Sequence, residues 1–248
     1  MARQTAAEKS KSTLTAAWEV IICQPTETEG PSMAKMTLVI GNKTYSSWSL
    51  RPWLALRQTG EDFEVVVIPL RQSDTKSAIL AHSGAGKVPV LHHGATTIWE
   101  SLAICEYLAD RFPDAALWPK DLERRAIGRA AATEMHGGFA DLRRALPMDL
   151  KRAPEPRSLS FEVLADVTRI TALWTDLRSR FGDGGPFLLG AFSIVDAMYA
   201  PICLRFDTYR VPLDPVCRSY VDAVSAWPAM VEWRTAALAE PWQIDFGV

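Results

Sequence analysis

The sequence has few cysteines, no long apolar run and no excess of charge of either sign. Its four cysteines form no CxxC pair, and none lies near histidines at a zinc-binding spacing. The formal net charge of −2 argues against nucleic acid or an anionic membrane as a partner. No apolar run approaches the about 20 residues of a transmembrane helix. We therefore expect no metal, nucleic-acid or membrane partner.

The composition supports a sizeable core. Hydrophobic residues make up 48% and charged residues 23% of the 248 positions, which argues against global disorder and suits one large domain or two modest ones. Cys105 and Cys203 lie within apolar helical patterns and are interpreted as small core residues. Because a disulfide framework is unusual in so core-rich a chain, we expect a reducing, cytoplasmic environment.

Residues 1–35 differ in composition from the rest of the chain, since they are rich in Thr, Ala, Glu, Ser and Lys. This composition predicts a disordered extension. The apolar stretch from Leu14 to Cys23 is broken by Glu19 and has no small-residue cleavage site after it, so it is a poor signal peptide. Met33 and Met36 are both candidate translation starts.

Strand and helix signals alternate over residues 36–113, which predicts an α/β domain. In chain order, the signals are a strand at 37–40, a helix at 47–59, a strand at 65–68, a loop, the run Lys87-Val88-Pro89-Val90-Leu91, a strand ending at Trp99 and a helix at 101–112. A proline inside a β-branched run fits a sheet edge or a turn of the backbone towards a ligand.

Helical signals alone follow from residue 122, after a linker at 113–121, and predict an all-α domain over 122–246. The predicted helices are 122–146, 161–181, 193–209, 215–226 and 229–239, with prolines and glycines between them. Ser193 and Asp196 have the spacing of a helix-capping box.

This order of elements resembles the glutathione transferase superfamily, in which a thioredoxin-like domain precedes a helical-bundle domain. The resemblance covers Met36 to Phe246. The block Ser46-Ser47-Trp48-Ser49-Leu50-Arg51 is similar to the serine motif of the zeta class, which includes maleylacetoacetate isomerases, and more distantly to that of the theta class. The chain looks most like a branch of bacterial proteins of this serine type.

The serine block lies where thioredoxin-type proteins carry CxxC at a helix start. Serine cannot exchange disulfides, so the site suits a thiolate that a ligand brings. The resemblance implies glutathione as that ligand and co-substrate, with Ser46, or Ser47 beside it, as the catalytic serine. A hydroxyl that donates to the sulfur, together with the helix dipole, would favour the thiolate, which is the nucleophile.

The rest of glutathione would be bound by two later motifs. Val88, before Pro89, would present its backbone N–H and C=O to the cysteinyl part, and a cis Val88–Pro89 bond would leave these groups facing outward. Glu100 would bind the α-ammonium, and Ser101 at a helix start would bind the α-carboxylate. Lys87 would meet the glycyl carboxylate.

The chain also departs from the zeta pattern. Trp48 stands where that class has cysteine, and the paired basic residues are reduced to Arg51. The substrate-carboxylate arginine of the isomerase has no clear match, because Arg205 and Arg210 have a different spacing from Asp196. These departures weaken the isomerase hypothesis and leave the transferase hypothesis standing.

Three functions are compatible with these residues. The first is conjugation of glutathione to a hydrophobic electrophile, in a pocket between the domains that Trp48 and His136 line. The second is glutathione-dependent cis–trans isomerisation of an unsaturated diacid, with Arg51, Arg205 and Arg210 as candidate cations. The third is a non-catalytic glutathione-binding or assembly module. Family analogy also predicts a homodimer.

Overall fold

The computed structural model describes residues 35–246, so the predicted disordered extension lies outside the described residues except for Lys35. A four-stranded sheet with the order β2-β1-β3-β4 forms the first half. The strands are β1 (Met36–Gly41), β2 (Phe63–Ile68), β3 (Val90–His93) and β4 (Thr96–Trp99). Strand β1 is parallel to β2 and antiparallel to β3, and β3 and β4 form an antiparallel hairpin.

The helices of residues 35–246 lie between these strands and after them in the chain. They are α1 (Ser47–Thr59), α2 (Thr75–Leu80), α3 (Ser101–Arg111), α4 (Leu122–Gly137), α5 (Ala140–Ala145), α6 (Phe161–Phe181), α7 (Ile194–Thr208), α8 (Pro215–Ala226) and α9 (Pro228–Ala239). The fold class expected from the sequence is confirmed: a mixed sheet with helices precedes a helical half. No helix within residues 35–246 has the length and hydropathy needed to cross a membrane.

The alternating side chains of β1 pack on both faces of the sheet. Leu38 and Ile40 join the core of α1 and α3, whereas Val39 packs with Val90 and Ile79 on the other face. Ile79 belongs to α2, which occupies part of the segment predicted as a loop. That prediction was wrong because α2 has only six residues and no side-chain cap bond, so it has no periodic pattern to recognise.

The predicted single helix over 122–146 is also wrong, because the chain breaks at Gly137-Gly138. A side chain on Gly138 would lie 2.7 Å from the carbonyl oxygen of Glu134, so the glycine permits this close approach. Phe139 follows with a φ of 57°, in the left-handed region, and is the N-cap residue of α5.

One continuous core runs through both halves, so the predicted boundaries at 36–113 and 122–246 stay a prediction. Helix α1 lies at the centre of this arrangement and packs against α3 on one side and α7 on another. The turn before α1 is held from the far end of the chain, since the Glu240 carboxylate accepts hydrogen bonds from the backbone N–H of Lys43 at 2.7 Å and of Thr44 at 3.1 Å.

The capping prediction for α7 is confirmed. The buried Asp196 carboxylate accepts the backbone N–H of Ser193 at 2.9 Å and that of Leu188 at 3.0 Å. Burial raises the pKa of Asp196 to about 6, against the lowering effect of these hydrogen bonds. The contact therefore joins the start of α7 to the loop before it.

Candidate functional site

A cavity of about 300 Å³ opens where the first turn of α1 meets the end of β4 and the start of α3. Its lining residues are Trp48, Ala85, Lys87, Val88, Pro89, Trp99, Glu100 and Ser101. Trp48 belongs to the serine block, and the others include both later motifs. The structure therefore brings the three sequence motifs to one cavity.

Glu100 and Ser101 form the α3 end of the cavity. Glu100 is the residue before the helix, with a φ of 71°, and its side chain is half exposed. Ser101 is only 1% exposed, and its hydroxyl has no hydrogen-bond partner anywhere in the described chain. A buried polar group without a partner is unfavourable, so this hydroxyl is suited to a ligand atom in the cavity.

The run from Lys87 to Pro89 forms the opposite side. The Val88–Pro89 peptide bond is cis. Among residues 35–246, no hydrogen bond uses the backbone N–H or C=O of Val88. Both groups are therefore available to a ligand, and the exposed Lys87 adds a cation at the rim of the cavity.

The serine turn has a more specific arrangement than its sequence predicts. Ser46 is the N-cap of α1, where its Oγ lies 2.7 Å from Ser49 Oγ and accepts the Ser49 N–H at 3.4 Å. Ser49 Oγ in turn accepts the Gly41 N–H at 3.1 Å. Ser47 Oγ accepts a hydrogen bond from Arg205 at 3.4 Å. Neither Ser46 nor Ser47 is among the residues that line the cavity.

The backbone N–H of Trp48 has no hydrogen-bond partner in the part of the chain that the structure describes. It belongs to the first turn of α1, where N–H groups lack intrahelical acceptors and the helix dipole is positive. Since Trp48 also lines the cavity, this N–H is a candidate donor for an anionic ligand atom.

The indole ring of Trp48 lies against two guanidinium groups and one imidazole ring. The Cζ atoms of Arg51 and Arg143 lie 4.1 Å and 5.2 Å from its centroid. The His136 ring meets it edge-on at 5.3 Å, and His136 Nε2 lies 3.7 Å from the Glu100 carboxylate. Burial and the nearby Arg51 lower the pKa of His136, which favours the neutral imidazole at neutral pH.

Two predicted substrate-binding arginines are buried and do not line the cavity, which differs from the expected open pocket. Arg51 is 0% exposed, and burial together with the like charges of Arg205 and Arg143 lowers its pKa to about 9. Arg205 is 4% exposed and donates from Nε to the Leu146 carbonyl at 2.7 Å. Arg210, at the end of α7, is exposed.

Three residues of the site have no distinguishing signal in the sequence. Ala85 and Trp99 line the cavity, and Arg143 lies against Trp48. A tryptophan at a strand end is normally interpreted as a core residue, but Trp99 is 53% exposed. An arginine in a helical pattern, such as Arg143, is normally interpreted as a surface residue. Only the fold brings them to the site.

Two family models match the chain. The model of the glutathione S-transferase N-terminal domain matches residues 45–111, and that of the C-terminal domain matches residues 160–236. This chain belongs to the glutathione S-transferase family. The resemblance seen in the sequence is therefore confirmed, and the cavity lies within and beside the N-terminal match.

Similar proteins include transferases and an isomerase. Over 171 residues the chain is 30% identical to a probable maleylacetoacetate isomerase of Caenorhabditis elegans, covering 68% of this chain and 78% of that protein. It is 37% identical to glutathione S-transferase 1 of Dianthus caryophyllus over 99 residues, or 40% of this chain and 44% of that protein. The match to the Dianthus transferase therefore spans less than half of that protein.

Solved glutathione S-transferases share the fold. A glutathione transferase homolog from Burkholderia gl BGR1, solved with bound glutathione, is 24% identical and has a TM-score of 0.63. The match covers 83% of this chain and 100% of that one. At this identity the comparison supports the transferase fold alone, and the reaction must be inferred from the residues of the site.

Proposed function

We propose that this glutathione S-transferase binds glutathione in the 300 Å³ cavity and activates its thiol for attack on an electrophile. The observation that carries the proposal is the Ser101 hydroxyl, which is buried, faces no partner within residues 35–246 and belongs to the cavity wall. A ligand carboxylate at the start of α3 would give this hydroxyl its acceptor and would also benefit from the helix dipole.

The remaining groups match the rest of the tripeptide. The half-exposed Glu100 carboxylate would bind the α-ammonium next to the α-carboxylate at Ser101. The free N–H and C=O of Val88 would pair with the cysteinyl backbone in the manner of an added strand. Lys87 would bind the glycyl carboxylate. In this direction the cysteinyl sulfur would lie towards Trp48 and the start of α1.

The start of α1 would stabilise the thiolate. The free N–H of Trp48 and the helix dipole favour the anion, which lowers the pKa of a thiol from about 8.5. The Ser46 hydroxyl would donate a second hydrogen bond to the thiolate, and its contact with Ser49 permits this. Because Ser49 Oγ already accepts the Gly41 N–H, its own proton can be donated to Ser46 Oγ, and the Ser46 proton is then free for the sulfur.

In the proposed conjugation, the residues named above are the only protein groups that take part. The thiol proton is lost to solvent, and the thiolate forms a carbon–sulfur bond at the electrophilic carbon. The electron pair of the broken bond departs with the leaving group, or, on an activated alkene, the neighbouring carbon takes the pair and is protonated by water. The role of the protein is to position glutathione and hold the anion.

Glutathione-dependent isomerisation is the second candidate. The similarity to a probable maleylacetoacetate isomerase and the cations Arg51 and Arg205 favour it. There the thiolate would add to the activated double bond, the resulting single bond would rotate, and elimination would regenerate both the double bond and glutathione. Consumption of glutathione distinguishes conjugation from this reaction, because isomerisation consumes none.

Calorimetric titration with glutathione and a conjugation assay with a panel of aryl halides and activated alkenes test the proposed function. We expect saturable glutathione binding and turnover of some members of the panel. Binding without any turnover, including isomerisation, would favour the non-catalytic module. Failure to bind glutathione at millimolar concentration would refute the site itself.

We also propose a homodimer in a reducing, cytoplasmic setting. Family analogy supports the dimer, and sedimentation at micromolar concentration would test it. Cys105, Cys203 and Cys217 support the reducing setting, because all three are buried and free. Burial raises the pKa of Cys105 to about 12, so this thiol is an unreactive core group. Fractionation of the native cells would test the location.

A further inference from the structure

The turn between β1 and α1 is bound by a single carboxylate from the end of α9. One oxygen of Glu240 accepts the Lys43 N–H at 2.7 Å, and the other accepts the Thr44 N–H at 3.1 Å. The Thr44 hydroxyl lies 3.0 Å from the same carboxylate and 2.8 Å from the Ala237 carbonyl, so its proton is shared between them. Glu240 is the C-cap residue of α9 and stands 196 residues from Thr44 in the chain.

Further groups of α9 and of the segment after it contact the same turn. The Trp233 Nε1–H donates to the Lys43 carbonyl at 3.0 Å. The Ile244 N–H donates to the Tyr45 hydroxyl at 3.1 Å, and the Tyr45 ring meets that of Phe246 edge-on at 5.6 Å. Every residue from Lys43 to Tyr45 therefore has a hydrogen bond to α9 or to the segment that follows it.

The Glu240 carboxylate forms no ion pair within residues 35–246. The nearby Lys151 ammonium donates to the backbone carbonyl of Glu240 instead. By contrast, Glu232 of the same helix pairs with Arg57 at 2.7 Å. Hydrogen bonds from neutral donors to a charged acceptor are stronger than those between neutral groups, so the charge of Glu240 serves to hold the turn.

The turn that Glu240 binds leads directly to Ser46. The Asn42 carbonyl accepts the Tyr45 N–H at 3.1 Å and the Ser46 N–H at 2.8 Å, so the turn and the cap of α1 form one hydrogen-bonded unit. Thr44 lies inside this unit and is fully buried. A shift of the backbone at Thr44 must therefore either break these bonds or move Ser46 with it.

We propose that Glu240 is a positioning residue of this enzyme, because it fixes the turn from which the Ser46 hydroxyl reaches the glutathione sulfur. This inference rests on the proposed function, which gives Ser46 its role beside the thiolate. Glu240 touches no substrate in this role and acts through the backbone of Lys43 and Thr44. A misplacement of about 1 Å in a reacting geometry can cost about a hundredfold in rate, so loss of part of these bonds should lower kcat about tenfold.

Glu240→Gln tests the carboxylate with little change in the size of the side chain. The substitution exchanges one acceptor oxygen for an amino group, which would meet the N–H of Lys43 or Thr44 as donor against donor. We expect kcat for conjugation to fall about tenfold. The dissociation constant of glutathione should change by less than about twofold, because Ser101 and the other residues of the cavity are unaltered.

The pKa of the bound glutathione thiol gives a second measurement that needs no electrophile. The ultraviolet absorbance of the thiolate, followed against pH in the complex, reports this pKa. In the wild-type complex it should lie below the about 8.5 of a free thiol. In Glu240→Gln it should rise by about half a pH unit or more, because a displaced Ser46 hydroxyl stabilises the anion less.

A double-mutant cycle with Ser46 separates positioning from a general loss of structure. Glu240→Gln should lower kcat about tenfold in the wild-type background and less than about twofold in the Ser46→Ala background, because the group that it positions is then absent. A general loss of structure would lower kcat by the same factor in both. Glu232→Gln is the matched control on α9, since it removes only a half-exposed pair with Arg57 and should leave kcat and the thiol pKa unchanged.

Thr44→Val tests the same contact from the side of the turn. It replaces the buried hydroxyl by a methyl group of similar size and removes its bonds to Glu240 and Ala237, while the backbone N–H groups remain. We expect a smaller loss of kcat in the same direction, about threefold, and again no further loss in the Ser46→Ala background. If Glu240→Gln does not fold, Thr44→Val carries the cycle.

The outcomes separate this proposal from the function on which it rests. A wild-type kcat and thiol pKa in Glu240→Gln would overturn the positioning role and leave the glutathione site intact. An equal loss with and without the Ser46 hydroxyl would overturn it too, as would a Ser46→Ala protein that is as active as the wild type. If the wild-type protein does not bind glutathione, the proposed function is wrong, and the role of Glu240 falls with it.

Discussion

Replacement of Ser101 by alanine should separate ligand binding from stability. The Ser101 hydroxyl is buried at 1% exposure and has no partner within the described residues, and the N-cap position of α3 is held by Glu100 rather than Ser101. The substitution therefore removes no cap and no hydrogen bond of the ligand-free protein. It should instead remove the group that donates a hydrogen bond to the glutathione α-carboxylate.

The two energies have opposite signs. A hydrogen bond to a charged group contributes about 1.5–3 kcal/mol, so Ser101→Ala should weaken glutathione binding by roughly 10- to 150-fold. An unsatisfied buried hydroxyl costs about 1–3 kcal/mol in the ligand-free protein, so its removal should leave the free energy of unfolding unchanged or increase it. Loss of affinity together with retained or raised stability is the expected signature.

Ser193 provides a matched control for this prediction. It is also 1% exposed at a helix start, but its hydroxyl donates to the Asp196 carboxylate at 3.1 Å. Ser193→Ala should lower the melting temperature and leave glutathione affinity unchanged. Calorimetry with glutathione and thermal melts without it measure both effects. An unchanged dissociation constant for Ser101→Ala would contradict the assignment of this hydroxyl to the ligand.

Three further predictions concern the serine turn, the γ-glutamyl site and the buried carboxyl. Ser46→Ala should lower kcat for conjugation by about tenfold or more with little effect on glutathione affinity, while Ser47→Ala should be nearly silent; the reverse order in steady-state kinetics would shift the role to Ser47. Glu100→Gln should raise the KM for glutathione about tenfold or more and leave the KM for the electrophile unchanged, because a charged partner of the α-ammonium is lost. Equal changes in the two KM values would count against this role of Glu100. Burial raises the pKa of Asp196 from 3.8 to about 6, so between these pH values the folded protein keeps a proton that the unfolded protein releases. The free energy of unfolding of the wild-type protein, relative to that of Asp196→Asn, should therefore fall as the pH rises across this interval. Denaturant titrations of both proteins would measure this, and a rise with pH would show that the hydrogen bonds to the ionised carboxylate outweigh its burial.

The sequence predicts the long elements well because their local signals agree. The helices expected at 161–181 and 215–226 have the bounds found in the structure, and each begins after a Ser or Asp whose side chain accepts an early helix N–H. Periodicity, caps and proline positions all support the same boundaries there. The sheet order could not be derived from one strand at a time, since it depends on how β3 inserts next to β1.

The sequence also marked the three motifs whose residues meet at the cavity, whereas it could not give the direction of each side chain. Spacing shows that Ser46 is near a helix start, but it cannot show that the Ser46 hydroxyl is turned to Ser49. Ser49 Oγ in turn accepts the N–H of Gly41, the last residue of β1. A sequence motif thus locates a serine next to the cavity, and the hydrogen-bond network decides what its hydroxyl can donate to.

Trp48 connects the least predictable part of the site with the most recognisable one. In the sequence it appears as a departure from the cysteine of the zeta pattern and weakens the isomerase hypothesis. In the structure the same ring lines the candidate cavity and lies against Arg51 and Arg143, so it stands between the proposed thiolate site and these two cations. A cysteine side chain is too small to cover a guanidinium in this way. The residue that sets this chain apart from the zeta pattern therefore also forms the surface against which Arg51 and Arg143 are held.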